Sequence, residues 1–122
     1  MIKLTFCLHR LPGLSREEFQ RYWHEHHAPL VMKNRSVLRI QRYVQTHSAT
    51  TDLNDVIRAG RNALEMYDGV AELWWNSFDD ILAATATPEG QAAGLELLED
   101  ERKFIDLARS PLFFGVEKAI FS

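Results

Sequence analysis

The chain has one cysteine, four prolines, six scattered glycines and no long apolar run, and each scarcity removes a class of protein. A lone thiol, Cys7, cannot close an internal disulfide, which fits a reducing compartment and leaves this residue to pack rather than react. Gly13, Gly60, Gly69, Gly90, Gly94 and Gly115 are too dispersed to form a phosphate-cradling loop, so nucleotide and flavin binding through such loops is set aside. No stretch approaches the roughly 20 apolar residues that span a bilayer. Charge of one sign is lacking too. Fourteen Lys and Arg against 17 Asp and Glu leave a net charge of -3, without the concentrated basic face that nucleic acid requires. The N-terminus alternates and carries charge, unlike a signal peptide. A soluble cytoplasmic protein with neither nucleic acid nor membrane as partner is expected.

What the chain does have is 122 residues, 46% of them hydrophobic, enough for one domain spanning residues 1–122 that buries roughly two thirds of its unfolded surface. Residues 2–9 alternate, with Ile2, Leu4, Phe6 and Leu8 opposed to Lys3, Thr5, Cys7 and His9, as in a half-buried strand. Ser15 with Glu18 three residues on is a capping box that starts a helix. Pro29 disfavours helical geometry at Ala28, so that helix is expected to stop or kink near His27, with a looser segment through Lys33-Asn34-Arg35 after it. Arg39 to Ser48 alternates again. Thr51-Asp52 caps a short helix, and Val70 to Asn76 is a third strand leaving an Asp68-Gly69 turn. Ser77 and Thr87-Pro88 cap two further helices. Leu112 to Phe121 is expected as the last strand. The order β-α-β, β-α-β resembles a ferredoxin-like split unit, an α+β fold with a four-stranded antiparallel sheet and helices on one face. The uncovered face carries enough apolar and aromatic residues to want a partner, so a homodimer with sheets packed face to face is expected.

The densest chemistry lies in Tyr22-Trp23-His24-Glu25-His26-His27-Ala28-Pro29-Leu30, where three of five histidines fall. Imidazole titrates nearest neutrality of all side chains, which makes proton transfer the first chemistry to consider. At about 100° per residue, Phe19, Trp23, His26 and Leu30 share one stripe, with Tyr22 and His27 flanking it. Tyr43 and His47 share one face of the second strand, and His9 projects from the first. If that face meets the helices, these side chains line a pocket with the helix histidine; if it meets solvent, they are ordinary surface residues. Glu72 sits among apolar neighbours and needs a cation such as Arg42 or a raised pKa. Trp74 and Trp75 point to opposite faces, so one can wall a ligand cavity, and Trp74 is assigned that part. His24 and His27 are three apart and no carboxylate or cysteine cluster completes a tetrahedral set, so no metal site is read.

Three segments carry a resemblance to a known family. Phe19-x-x-Tyr22-Trp23-x-x-x-His27-Ala28-Pro29-Leu30, Tyr67-Asp68-Gly69-Val70-Ala71-Glu72-Leu73-Trp74 and Asp100-Glu101-x-x-Phe104-Ile105-Asp106 resemble the EthD family of dimeric α+β barrels over nearly the whole chain. The resemblance implies a ferredoxin-like fold paired as a dimer. Its wider relatives include cofactor-free cyclases, dehydratases, decarboxylases and small monooxygenases. It also selects His27 over the His26 favoured by the helical wheel, since a helix ending at Pro29 need not keep an ideal angle in its last turn. The expectation is a cofactor-free acid-base enzyme of lyase, cyclase or isomerase type acting on a small apolar, aromatic or polyketide-like molecule. His27 and His47 would be catalytic, with Tyr22, Trp23, His9, Tyr43, Glu72 and Trp74 binding substrate. A cofactor-independent oxygenase and a non-catalytic accessory protein of a degradation pathway are the alternatives.

Overall fold

Alternation in the first residues becomes strand β1 (Ile2–Leu8), one of the two inner strands of the sheet. The computed structural model describes residues 1–122. β2 (Arg42–His47), β3 (Gly69–Trp75) and β4 (Leu112–Gly115) complete an antiparallel sheet in the order β2-β3-β1-β4. The register pairs Leu4 with Leu73 and Phe114, Phe6 with Ala71 and Leu112, and Tyr43 with Leu73. Because strand side chains alternate, those residues share one face with Ile2, Leu8, Gln45, His47 and Trp75. Lys3, Thr5, Cys7, Arg42, Val44, Glu72, Trp74 and Phe113 share the other.

The first face is covered by helices α1 (Arg16–Tyr22), α2 (Ala28–Lys33), α3 (Arg35–Leu38), α5 (Phe78–Thr85) and α6 (Pro88–Glu101). A further helix, α4 (Asp52–Ala59), buries none of its residues. Sequence caps place these elements. Ser15 Oγ accepts from Glu18 N while Glu18 Oε1 accepts from Ser15 N, both at 3.0 Å, and Thr51, Ser77 and Thr87 cap the helices that follow them. Each such cap is worth about 1 kcal/mol.

Two apolar clusters hold the layers together. Phe6, Leu8, Phe19, Trp23, Ala71, Phe104 and Ile105 form one, and Ile2, Val31, Leu38, Ile40, Trp75 and Ala93 the other. Tyr43 and Leu73 touch both. Phe19 and Phe104 are wholly buried, and each side chain of this size stabilises the fold by about 2 kcal/mol or more.

Two expectations are corrected. Of the stop or kink expected near His27, the stop does not occur: an irregular turn lies at Trp23–His27 and the chain stays helical to Leu38, with a break at Asn34 and a left-handed cap at Arg39. Pro29 is accommodated because Trp23–His27 form a single π-helical turn, closed by Ala28 N–H donating to Trp23 O. The register shift makes Pro29 the second residue of α2, where a missing N–H costs little. The last strand ends at Gly115 rather than Phe121, because Gly115 pairs with Lys3 and β1 begins one residue before it. The chain beyond has no strand left to bond.

Candidate functional site

A cavity of about 160 Å³ lies at the seam between the two apolar clusters, under the π turn and above β1 and β3. Leu4, Phe6, Ala71, Leu73 and Trp75 form its floor, and Trp23, Val31, Leu97 and Ile105 its roof. His27, Tyr43 and Glu101 are the titratable side chains that line it. They come from three elements: the π turn, β2 and the last residue of α6.

The π turn explains how His27 arrives there. One extra residue in a helical turn rotates everything after it by about 100°. The buried stripe that begins with Phe19 and Trp23 therefore continues through His27 and Val31, while His26 is turned out to solvent. The resemblance selects His27 over His26 on the ground that a helix ending at Pro29 need not keep an ideal angle in its last turn, but the helix does not end there. The inserted residue does the work.

His27 is held from behind. Asp100 Oδ2 accepts from His27 Nδ1–H at 2.8 Å, and Asp100 Oδ1 accepts from the Tyr22 hydroxyl at 2.6 Å. Both members of the pair are buried, with side chains 7% exposed. Burial pushes the imidazole below its ordinary pKa, and the hydrogen bond and charge of Asp100 only partly oppose this. For Asp100, burial works against its charge, yet the bonds from Tyr22 and His27 together hold its carboxyl below the usual value. Burial, aided by Asp100, pushes the Tyr22 hydroxyl up to about 12. The outcome at neutral pH is an ionised Asp100 facing a neutral His27 that carries its proton on Nδ1, assigned from that carboxylate partner. Nε2 has no protein partner and is free to accept a proton.

Glu101, next in the chain, meets the opposite environment. Its carboxyl faces apolar side chains with no compensating cation or donor, and burial followed by the charge of Asp100 pushes it up to about 7. Its place at the end of α6 adds to this, since unpaired helix carbonyls disfavour a negative charge. Tyr43 accepts from Gln45 Nε2 at 2.7 Å, and its pKa is raised by burial and, to a smaller degree, by Glu101.

The other candidates are dispersed. Trp23 lines the cavity, whereas Tyr22 reaches it only through Asp100 and otherwise borders a shallow surface pocket with His26. His47 does lie on the helix-facing side of β2, but its ring stacks on Trp23 at 4.5 Å and its Nε2 bonds Gln45 Oε1 at 2.8 Å. It stands outside the cavity lining and fixes the Gln45 amide that donates to Tyr43 and to Trp23 O. His9 follows the parity of Lys3 and Cys7 and lies against Tyr67 at 4.7 Å, away from the cavity. Glu72 and Trp74 are on the opposite face of the sheet. Glu72 pairs with Lys3 at 2.6 Å, not with Arg42, whose guanidinium lies 4.5 Å from the centre of the Trp74 ring. Of the two adjacent tryptophans, Trp75 and not Trp74 lines the cavity. No group of three or more His, Cys, Asp or Glu side chains is arranged to hold a metal ion.

Asp100 and Glu101 were not assigned roles from sequence. A trace of them was present: two adjacent acids at the C-terminal end of a helix oppose its dipole, and residues that oppose their local preference often have a tertiary partner.

A model of the EthD domain matches residues 11–108. An EthD family protein of Bacillus halodurans C-125 superposes with a TM-score of 0.63 at 21% identity, over 97% of this chain and 99% of that one. A dimeric protein of unknown function and ferredoxin-like fold from Bacteroides fragilis gives 0.58 at 10% identity, with 93% of each chain covered. A Deinococcus radiodurans protein, named as a candidate antibiotic biosynthesis monooxygenase, gives 0.54 at 9% identity over 100% of this chain and 97% of that one. No curated protein sequence matches the chain. The structural likenesses establish the ferredoxin-like α+β fold.

Proposed function

This chain is a member of the EthD family, and on that premise we propose that it transfers protons on a small, largely apolar molecule held between its helices and its sheet. One observation carries this reading: an imidazole with Nδ1 bound to a buried carboxylate and Nε2 uncommitted lines a largely apolar cavity. A neutral imidazole so held is a general base. Asp100 fixes its tautomer and stabilises the imidazolium formed when Nε2 takes a proton. The apolar walls lower the local dielectric and make that charge transfer sensitive to the fixed carboxylate. His27 is therefore the proposed catalytic base, Trp23 and Tyr43 border the substrate, and Tyr22 and His47 position their neighbours.

Chemistry of this kind is a lyase, cyclase or isomerase step, which needs a base, an acid and shape. A cavity of about 160 Å³ suits one ring, since an engineered apolar cavity of about 150 Å³ takes benzene. Two copies are proposed to pair through the face bearing Val44, Trp74 and Phe113, which no helix of the same chain covers.

The test is proton exchange at carbon. In heavy water, wild-type protein should catalyse deuterium uptake next to the carbonyl of cyclohexanone, followed by NMR, and His27→Gln should lose at least about a hundredfold of that rate. Exchange that is equal in the two proteins overturns the reading, and saturable binding without exchange points to an accessory binding protein. The name carried by the Deinococcus protein favours one further reading: deprotonation of a phenol by the same base, followed by reaction with oxygen. Oxygen uptake with a phenol would reveal it.

A further inference from the structure

Glu101 is the cavity group that the base mechanism leaves unused. It lines the same largely apolar cavity as His27, from the last residue of α6, and no protein cation or hydrogen-bond donor offsets its burial. An ionised carboxylate in such a place is costly, whereas a protonated one is an unspent hydrogen-bond donor. The groups around it reinforce this. Asp100, beside it on α6, is already ionised and bound to Tyr22 and His27, with Lys103 3.7 Å from it on the solvent side. His27 from the π turn is neutral, and Tyr43 from β2 is a phenol held by Gln45. The remaining walls from β1 and β3 are Leu4, Phe6, Leu8, Ala71, Leu73 and Trp75, which carry no charge to oppose or replace the acid.

A base and an acid on one small apolar space define a substrate. We infer that Glu101, in its protonated form, is the acid of this cavity, donating to the carbonyl oxygen of a small uncharged ketone while His27 removes a proton from the adjacent carbon. The inference deepens the reading of His27 as base and rests on it. In the step, His27 Nε2 takes the α-proton and the C–H electron pair becomes the enol C=C bond. The carbonyl π pair takes up the Glu101 proton. The products are an enol, an imidazolium facing Asp100 and a Glu101 carboxylate. Return of the imidazolium proton to carbon and of the enol proton to Glu101 closes the cycle. Charged ligands are disfavoured: a carboxylate substrate would meet Glu101, and an ammonium would have to shed its water in a largely apolar cavity.

Trp23 and Trp75 both line the cavity, so quenching of tryptophan fluorescence reports occupancy. The probe is cyclohex-2-en-1-one, a neutral single-ring carbonyl acceptor, titrated at about pH 5.5 and about pH 8.5, either side of the Glu101 transition. Wild-type protein should bind it about tenfold more tightly at the lower pH, the difference made by one buried hydrogen bond. Glu101→Gln, which keeps a donor but does not titrate, should bind equally at both values. Glu101→Leu should bind weakly at both, and His27→Gln should keep the wild-type pH dependence. The inference is overturned by equal wild-type affinity at the two pH values, by no saturable binding at either, or by the same pH dependence in Glu101→Gln. Tighter binding of cyclohexylamine as pH rises would overturn it as well, marking Glu101 as an anionic site. The cyclohexanone exchange assay separates the two proposals. Glu101-dependent enone binding without His27-dependent exchange sinks the base and leaves the donor. His27-dependent exchange with pH-independent enone binding does the reverse.

Discussion

Asp100 and Glu101 are adjacent at the end of α6, yet their carboxyls titrate in opposite directions. Asp100 accepts from Tyr22 and His27 and is held low, while Glu101 meets apolar walls and Asp100's own charge and is pushed up to about 7. Two identical functional groups are driven apart by hydrogen-bond partners at one and burial at the other. Asp100→Asn should expose this division. It removes the acceptor that fixes the Nδ1–H tautomer and the charge that supports the imidazolium, so proton exchange should fall roughly a hundredfold or more. The influence of Asp100 on His27 is to raise its pKa against burial, so His27 in the variant should titrate lower still. Nitrogen-15 chemical shifts of the imidazole measure both tautomer and titration. An unchanged tautomer in the variant would show that Asp100 does not orient the ring.

Glu101 should also make stability depend on pH with a sign opposite to that of an ordinary paired carboxylate. Its ordinary value is 4.5 in the unfolded chain and about 7 when folded, so the folded state binds the extra proton between them. The associated stability is fully present below about pH 4.5 and is lost as pH rises through about 7. The gap between these values corresponds to at most about 3 kcal/mol. Glu101→Gln should therefore be more stable than wild type above pH 7 by up to that amount and nearly equal to it near pH 4.5. Urea midpoints at the two ends of this range measure the difference. A variant less stable at high pH would mean that the carboxylate has a partner worth more than its burial costs.

If ligands occupy the seam between the two clusters, filling that seam should exclude them without unfolding the protein. Ala71 is 5% exposed, sits on the helix-facing side of β3 and lines the cavity. Ala71→Leu places an isobutyl group in existing space. Overpacking a filled core costs about 1–3 kcal/mol, so a change smaller than about 1 kcal/mol together with lost enone binding is expected. The same substitution with enone binding intact would place the ligand elsewhere.

Much of the fold was legible in the sequence because the signals are local. The capping box at Ser15, the alternation in Ile2–Leu8 and the caps at Ser77 and Thr87 depend on neighbours a few residues away, and each forms as read. The π turn was not legible. Trp23–His27 read as ordinary helix, and the inserted residue follows from tertiary demands, among them the Trp23 indole lying so close over β3 that a side chain at Gly69 would collide with it. His27 emerged from family resemblance against the helical wheel, and the wheel erred by the one residue that the π turn adds. Trp74 and Trp75 show the limit of alternation. Their opposition was plain, but which face the helices cover depends on the whole sheet. Asp100 acquires its surroundings through bonds from Tyr22 and His27, and Glu101 through burial in a cavity lined by β1, β2 and β3, all far away in the chain.

The sheet face away from the helices poses the remaining structural question. Trp74 is covered there by Lys3, Arg42 and Glu117, but Val44 and Val70 are only half-buried and Phe113 is 57% exposed. Sheets pair about 10 Å apart through such apolar faces, and charge placed at the centre of a face-to-face contact is left without water or partner. Phe113→Glu should therefore shift the protein from dimer to monomer in sedimentation velocity. Phe113 lies in neither core cluster, so the folded monomer should lose little stability, on the order of 0.5 kcal/mol. The His27 tautomer should be unchanged, since Asp100 and Tyr22 come from the same chain. A wild-type protein that sediments as a monomer at micromolar concentration would remove the pairing proposal. A variant that stays dimeric would move the interface away from β4, toward the exposed apolar side of α4 with its Leu53 and Val56.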